Sequence, residues 1–559
     1  MKVLLCLPPD YDRNYPPLGT PALLGFLKSK GVNAMQVDIN LAYRGFLTGK
    51  IKGRALRAAD KNILLYPLLK AFFSQKLKNR YYSKFLPRLS GRFFAYLPYD
   101  NNSNSSSYFS ERLLSSKHLF RYLLDERENT FYQFYRAHQI IAFLKKENIK
   151  VLGISVISPQ QAIAALTLGL LVKKELPEVH VTMGGQWVTL FRNELIKRKD
   201  LFACFDSLIA FEGETSLYEL VKAVSNHVEP KGFNIITKNT RKPKFAPQGE
   251  ELNTLACPDF SGLPLNDYNA GVGGANLTYE TSRGCYWSKC AYCVDLPLPK
   301  PAYRVKRADI VVKEIKELIK KYGAKNLMMG DPGMSPRQML EISRALIKNK
   351  IKISWWTMAR LDPGFSKKHF ATAKRAGLGK INFGFESACD KVCDLLHKGN
   401  RRDISARLIK DCAAAGILVD LQTIIGMPGE TPDDAMDTIS FLIEHKKHIA
   451  AVTFNIYYLT PGNYIYRDPG HYGIAYDKKK VLPFQFIIPF KNKRGMTKGQ
   501  AQLLMKLYYR LLAGSDKVKK PDAGLADRLK RSGQATLLLG KKKVSLKWGK
   551  YASGAMVIK

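Results

Sequence analysis

The chain has 559 residues, 46% of them hydrophobic and 24% charged. That balance excludes a disordered chain, a collagen-like repeat or a coiled-coil rod, and the length leaves room for roughly two to four domains. Lys and Arg outnumber Asp and Glu by 89 to 47, a formal charge of +42; this fits a lysine-rich host proteome or an anionic partner such as nucleic acid, a membrane surface or an acidic peptide.

The N-terminal MKVLLCLPPD reads as a first β-strand and not as a secretory signal, because its apolar run is short and ends in Pro8-Pro9. No apolar stretch reaches the roughly 18–20 residues that span a bilayer. Nine cysteines at this length argue against a disulfide framework. The expectation is a cytoplasmic protein without a transmembrane segment.

Strand and helix patterns alternate from the start: KVLLCLPP, the helix GTPALLGFLKSKG closed by Gly31, then NAMQVDIN. A basic, aromatic-rich insertion follows at about 45–145. Between residues 50 and 96 its only acid is Asp60, and it continues into the polar run NNSNSSS at 101–107. The alternation resumes with VLGISVIS, PQQAIAALTLGLLVKKELP, VHVTMGG, CFDSLIAF and GETSLYELVKAVS. Near-continuous apolar strands between amphipathic helices predict a parallel sheet covered on both faces, so residues 1–228 form a doubly wound α/β domain. Residues 229–270, rich in Pro, Lys, Asn and Gly, read as a linker containing one ordered piece, CPDFSGLPLNDY.

A second βα series occupies 271–468. Its six strands are NLTYETS, NLMMGD, ISWWTMAR, KINFGFES, LVDLQTIIG and AAVTFNIYY. Six units with right-handed crossovers build a partial (βα)6 barrel, whose active site belongs at the C-terminal ends of its strands. Thr431-Pro432 gives the helix after strand five an N-cap and a first-turn proline. Residues 469–559 form a small, basic C-terminal accessory region, with a helix at KGQAQLLMKLYYRLLAG and a hairpin at ATLLLGKKKVSLKW.

The chemistry-bearing motif is TSRGCYWSKCAYC, after the first barrel strand. It sets Cys285, Cys290 and Cys293 in one loop. A structural zinc site wants four ligands, usually as two close pairs, and Cys389 and Cys393 are the available distant candidates. Three thiolates on one loop fit better with a 4Fe–4S cluster whose fourth iron is open to a small chelating ligand.

This loop resembles the cluster loop of the radical S-adenosylmethionine (SAM) superfamily. Tyr292, before the third cysteine, matches the aromatic residue that in the superfamily lies near the adenine. Between the first two cysteines this chain has four residues, YWSK, where three is the common spacing. The resemblance extends over roughly 275–465. GDPGMS places Asp331 near the methionine end of the cofactor. FGFESACDKVCDLLHKG brings in Glu386, Ser387 and Lys398, and TIIGMPGET brings in Gly426 and Glu430. Each of these turns also has a plain reading as a helix start or cap.

The first domain lacks a phosphate-binding glycine fingerprint. It resembles instead the cobalamin-binding domain often joined to radical SAM barrels, through YPPLGTPALLGFLKSKGVNAMQVDIN, VLGISVIS, VTMGGQWVT and AFEGETSLYELV. The resemblance implies cobalamin-binding positions at Gly19, Ser155, Ser158, Gly184, Gly185, Gln186, Glu212 and Gly213, in loops at strand C-termini. With no Asp-x-His-x-x-Gly stretch, no histidine is available to ligate cobalt from below.

These resemblances together imply a Rossmann-like cobalamin-binding domain followed by a radical SAM barrel. The implied enzyme uses a 4Fe–4S cluster, SAM and cobalamin, with an external electron donor such as a flavodoxin or ferredoxin. The expected activity is methylation of an unactivated carbon in a peptide or small natural-product substrate. The alternative is a radical cyclisation or rearrangement without methyl transfer. A methylthiotransferase is disfavoured, because only Cys6 and Cys204 precede Cys257 and a second three-cysteine cluster has no ligands. The remaining alternative is a non-enzymatic, metal-stabilised nucleic-acid-binding protein.

Overall fold

The computed structural model describes residues 1–11, 15–43, 45–46, 113–246, 249–268, 275–294, 303–514, 534–539, 542–547 and 557–558. The basic stretch at 50–96 and the NNSNSSS run lie outside the described residues. The chain divides into two compact units. One comprises 1–246, 256–270 and 482–484, the other 247–255, 271–481 and 485–559.

The first unit is built on a six-stranded sheet in the order β2-β1-β3-β4-β5-β6. Its strands are β1 (Lys2–Leu7), β2 (Asn33–Asp38), β3 (Ile149–Ser155), β4 (His180–Gly184), β5 (Ser207–Ile209) and β6 (Ile235–Thr237). The first five are parallel, and β6 runs antiparallel to β5. Val3 to Leu7 are all buried, because helices cover both faces of a parallel sheet. The helix Gly19–Ser29 lays Leu24 and Leu27 on Val3, Leu5 and Val151, beside Leu217 and Leu220 of the helix Glu214–Ser225. The strand order reverses between β1 and β3, so their C-terminal ends border the crevice where open α/β sheets bind ligands.

Two features depart from the sequence reading. Strand β6 lies inside the expected linker; it is three residues long and sits among Pro, Gly and Lys, too short for its alternation to register. CPDFSGLPLNDY is integral to the first unit: Gln36 Nε2 donates to the carbonyls of Asp259 (2.7 Å) and Ser261 (3.0 Å), Lys28 pairs with Asp259 at 3.0 Å, and the Tyr268 hydroxyl donates to Asp38. From the insertion, three described helices, Leu119–Leu123, Thr130–Ala137 and Ile140–Lys146, precede β3. Buried Asn129 joins the first two. Its oxygen accepts from Phe131 N–H, and its amide donates to Leu123 O and Thr167 Oγ1.

The second unit holds β7 (Ala275–Tyr279), the short antiparallel pair β8 (Ser282–Arg283) and β9 (Arg304–Val305), then β10 (Ala324–Met329), β11 (Ser354–Arg360), β12 (Leu378–Glu386), β13 (Leu418–Ile425) and β14 (Ala451–Ile456). Six of these form one parallel sheet, β14-β13-β12-β11-β10-β7. Each βα unit adds its strand beside the previous one, the arrangement of a partial barrel. Burial alternates along β11 to β13. One face packs under helices, and the other carries a polar row in which Gln422 bonds Asn382 (3.1 Å) and Asn455 (3.5 Å).

The helices Ala308–Tyr322, Pro336–Lys348, Lys367–Arg375, Arg402–Ala414 and Pro432–Glu444 fall where the periodicity places them. Thr431 caps the last of them through Asp434, with Pro432 in the first turn. The sixth cover is the helix Lys498–Gly514, which the sequence reading groups with the accessory region. It packs on β14 and on Pro432–Glu444, with Tyr508 4.4 Å from Phe454 between ring centroids. The strands Gln534–Leu539 and Lys542–Lys547 pair antiparallel, as the hairpin pattern predicts. Among the described residues no helix is long and apolar enough to cross a membrane.

Candidate functional site

The cysteine loop leaves β7 and is held at its base by one carboxylate. Asp331, fully buried in the turn after β10, accepts from Thr281 N and Oγ1 (2.7 Å each) and from Ser282 N (2.5 Å) and Oγ (3.0 Å). Burial raises its pKa to about 6, against the pull of these four donors. Gln338 extends the brace by donating to Thr281 Oγ1 at 2.5 Å, and the Tyr303 hydroxyl donates to Gln338. Asp331 thus acts on the loop through the backbone that leads into Cys285. Below it lies a buried ionic triad: Lys306 Nζ is 2.7 Å from Glu314 Oε2, which also accepts from the Tyr279 hydroxyl at 2.5 Å.

None of the three cysteines is in a disulfide. Cys285 and Cys290 are half-buried and Cys293 is exposed. Among the described residues no three His, Cys, Asp or Glu side chains converge tightly enough to hold a single metal ion. The turn after β10 reaches the first thiol: a Cβ added to Gly333 would lie 3.7 Å from Cys285 Sγ. Burial raises the Cys290 pKa, while the charges of Lys398 and Arg360 pull it down. A thiolate donor set at a strand C-terminus with two cations beside it fits an anionic iron–sulfur cluster.

Lys398 links the matched motifs. Its Nζ lies 3.0 Å from Glu386 Oε1 and 3.1 Å from the Tyr292 hydroxyl, and all three follow strand ends of the sheet. Glu386 has a positive φ of 61° and is 6% exposed. Ser387 Oγ bonds Thr438 Oγ1 (2.9 Å) and accepts from Cys389 N–H (3.1 Å), so it organises the turn after β12. Cys393 donates to Ser387 O and Cys389 to Asp434; burial raises both thiol pKa values, that of Cys393 to about 12. Both side chains thus act as hydrogen-bond-donating thiols in the turn and helix after β12. Arg360 and Trp287, which meet beside this turn, were invisible as site residues in the sequence, although two bulky residues inside a short ligand loop were a usable signal.

After β13, Gly426 N–H and Met427 N–H donate to Glu430 Oε2 at 2.6 and 3.0 Å. Glu430 is 1% exposed, and burial lifts its pKa from 4.5 to about 8. The folded chain holds this proton better than the unfolded one. Its stabilising contribution is full below the unfolded value of 4.5 and is lost as pH rises through about 8. Glu430→Gln, neutral throughout, is expected to lose less of its thermal midpoint than the wild type between about pH 6 and about pH 9; equal losses would refute the assignment.

In the first unit the predicted positions gather at the C-terminal edge of the sheet. A Cβ on Gly19, after β1, would lie 3.7 Å from Ser155 Oγ at the end of β3. Ser158 caps the turn Pro159–Gln161, and Gln161 accepts from the Ile157 and Ser158 amides. Gly185 has φ 101°, and a Cβ there would meet Val156 O at 2.5 Å; on Gly184 it would be 3.3 Å from Ile209 O. The bare backbone of Gly185 is therefore already required by packing inside the protein, while that of Gly184 makes only a tight contact with the neighbouring strand. Gln186 opens the helix Gln186–Lys197. Gly213 caps Glu214–Ser225, and Glu212 O accepts from Asn234 at 3.3 Å. Two buried polar atoms beside this edge, Thr20 Oγ1 and Trp187 Nε1, have no hydrogen-bond partner among the described residues. Orphaned donors in the first turns of the helices Gly19–Ser29 and Gln186–Lys197 suit a polar ligand.

Residues 279–442 match the Radical SAM superfamily, so the chain carries a radical SAM domain. It is 28% identical over 308 residues to an uncharacterized methyltransferase of Pyrococcus horikoshii (54% of this chain, 66% of that one), and 22% identical over 383 residues to the anaerobic magnesium-protoporphyrin IX monomethyl ester cyclase of Cereibacter sphaeroides (66% and 60%). The chain thus spans less than two thirds of the length of these relatives. Its fold is that of the cobalamin-dependent SAM radical enzyme OxsB, solved with aqua-cobalamin and SAM (TM-score 0.61, 14% identity, 92% of this chain and 67% of that one). It is also that of the radical SAM methyltransferase TsrM from Kitasatospora setae, solved with cobalamin and a [4Fe-4S] cluster (0.53, 14%, 87% and 81%).

Proposed function

We propose that this protein is a cobalamin-dependent radical SAM methyltransferase acting on a carbon centre of a peptide or small natural-product substrate. The observation that carries this reading is the set of three non-disulfide thiols, Cys285, Cys290 and Cys293, at the end of the first strand of a six-stranded partial barrel within a radical SAM domain. The methyltransferase relative and the cobalamin-bearing structural neighbours support the rest.

When bound, the cluster with SAM supplies a 5′-deoxyadenosyl radical, and cobalamin supplies a methyl carrier; the chain's own share is holding and shielding them. Cys285, Cys290 and Cys293 would ligate the cluster. Tyr292, held through its hydroxyl by Lys398, would flank SAM together with Glu386 and Gly426, while Asp331 and Ser387 fix the turns that carry these groups. Gly19, Ser155, Ser158, Gln186 and Glu212 would border cobalamin in the first unit. An external low-potential donor of the flavodoxin or ferredoxin class would supply electrons.

The test is anaerobic reconstitution with iron, sulfide and cobalamin, then turnover with methyl-labelled SAM. The expected products are 5′-deoxyadenosine, S-adenosylhomocysteine and a labelled substrate methyl group. A reconstituted cluster that yields neither nucleoside product would overturn the reading. 5′-Deoxyadenosine without methyl transfer would favour the cyclase chemistry named for the Cereibacter relative.

A further inference from the structure

Trp287 stands in the four-residue segment between Cys285 and Cys290, and its placement is unusually constrained. Its indole N–H donates to His397 O at 2.7 Å. The Arg360 guanidinium carbon lies 3.8 Å from the Trp287 ring centroid and 5.7 Å from that of Tyr286. Arg360 also donates from Nη2 to Lys398 O at 2.5 Å. Gly399 completes the contact: its φ is 73°, and a Cβ there would meet Trp287 Cζ2 at 2.5 Å. Together β11, the 397–399 turn and the cysteine loop are pinned at one point. Tyr286 adds a bond from its hydroxyl to Asp362 at 3.0 Å.

The electrostatics are less complete than the packing. Arg360 is 6% exposed, and its Nε–H is buried with no acceptor among the described residues. Its nearest carboxylate, Asp362, is 4.0 Å from Nη1, at the outer limit of an ion pair. Lys398, the other cation here, has Glu386 at 3.0 Å. A buried guanidinium short of hydrogen-bond partners costs free energy unless an anion satisfies it, and the nearby groups that become anionic on cluster binding are the cysteine thiols. Burial and fixed charge are main determinants of iron–sulfur reduction potentials, because a cation favours the more negative, reduced state.

We propose that Arg360 is a positioning residue of the cluster site: stacked on Trp287, it clamps the long Cys285–Cys290 segment and sets a fixed positive charge beside the cluster, making it easier to reduce. This rests on the iron–sulfur reading above.

The test uses the reconstituted full-length protein and the variants Arg360→Met, Arg360→Lys and Trp287→Phe. The readouts are iron per chain, the rate of iron loss to a chelator, and the midpoint potential from an electron paramagnetic resonance titration. Arg360→Met is expected to show a more negative potential. Arg360→Lys is expected to keep the wild-type potential but release iron severalfold faster, because an ammonium lacks the planar face and fork of arginine. Trp287→Phe, which loses the bond to His397 O, is expected to release iron faster at unchanged potential. A wild-type potential in Arg360→Met would overturn the electrostatic role. Wild-type iron retention in both Arg360→Lys and Trp287→Phe would overturn the clamp. If Arg360→Met fails to retain iron, the Lys variant decides, since a negative shift with its charge intact also refutes the charge argument. Failure of the wild type itself to form a cluster would sink the iron–sulfur reading instead, so the two failures are distinguishable.

Discussion

Replacing Cys290 with Ala is expected to abolish the iron–sulfur absorption of the reconstituted protein and, with it, all 5′-deoxyadenosine formation. The cluster would have three protein ligands and no spare. The next cysteines along the chain, Cys389 and Cys393, are hydrogen-bonded to Asp434 and to the Ser387 carbonyl, and burial raises both of their pKa values. Both thiols are committed to these bonds and stand outside the Cys285–Cys293 loop, so neither is poised to substitute. Cys412→Ala is the matched control. Cys412 is fully buried in the helix Arg402–Ala414, away from the loop, and its loss should leave the spectrum intact while costing some stability through the small cavity. An unchanged iron spectrum in Cys290→Ala would refute the ligand assignment.

The sequence carried most of the strands well, because a βα repeat writes its period into the chain. Continuous apolar runs such as KVLLCL mark strands buried on both faces, and every strand of the second sheet falls within a few residues of its pattern. What stayed hidden was placement in three dimensions. The helix Lys498–Gly514 shows its amphipathic pattern in sequence, but nothing there says that it packs on β14, past an intervening segment at 457–497. Strand β6 is three residues long and gains its identity only from the edge of β5. At the site, the motifs named the right turns but not the division of labour within them. Asp331 matches a cofactor-flanking position, yet its oxygens grip Thr281 and Ser282. Gly185 matches a ring-binding position, yet packing against Val156 O already demands it. Such roles depend on contacts between segments far apart in sequence, which a single chain does not print.

Lys306→Met is expected to destabilise the second unit by about 3–5 kcal/mol, the range for stranding one member of a buried ion pair. The side chains of Lys306 and Glu314 are only 3% and 5% exposed. With the ammonium gone, the Glu314 carboxylate keeps the Tyr279 hydroxyl as a donor but loses its countercharge in a region water does not reach. The double variant Lys306→Met/Glu314→Leu removes the charge as well as its partner and should recover most of the loss, because a buried pair is often replaceable by apolar side chains of similar volume. Urea unfolding followed by tryptophan fluorescence suits the measurement, since Trp287, Trp355 and Trp356 all lie in this unit. A single variant that unfolds at the wild-type urea concentration would show that the triad contributes nothing. The same substitution reaches the cysteine loop by a short route: Lys306 N–H donates to Thr281 O at 2.8 Å, and β8 and β9 pair Ser282 with Val305. Thr281 and Ser282 are the residues that Asp331 grips, so loosening Lys306 slackens the base of the loop. Lys306→Met should therefore also release iron faster, and the double variant should restore retention in step with stability. Restored stability without restored retention would mean that the ionic triad acts on the loop directly and not through the fold.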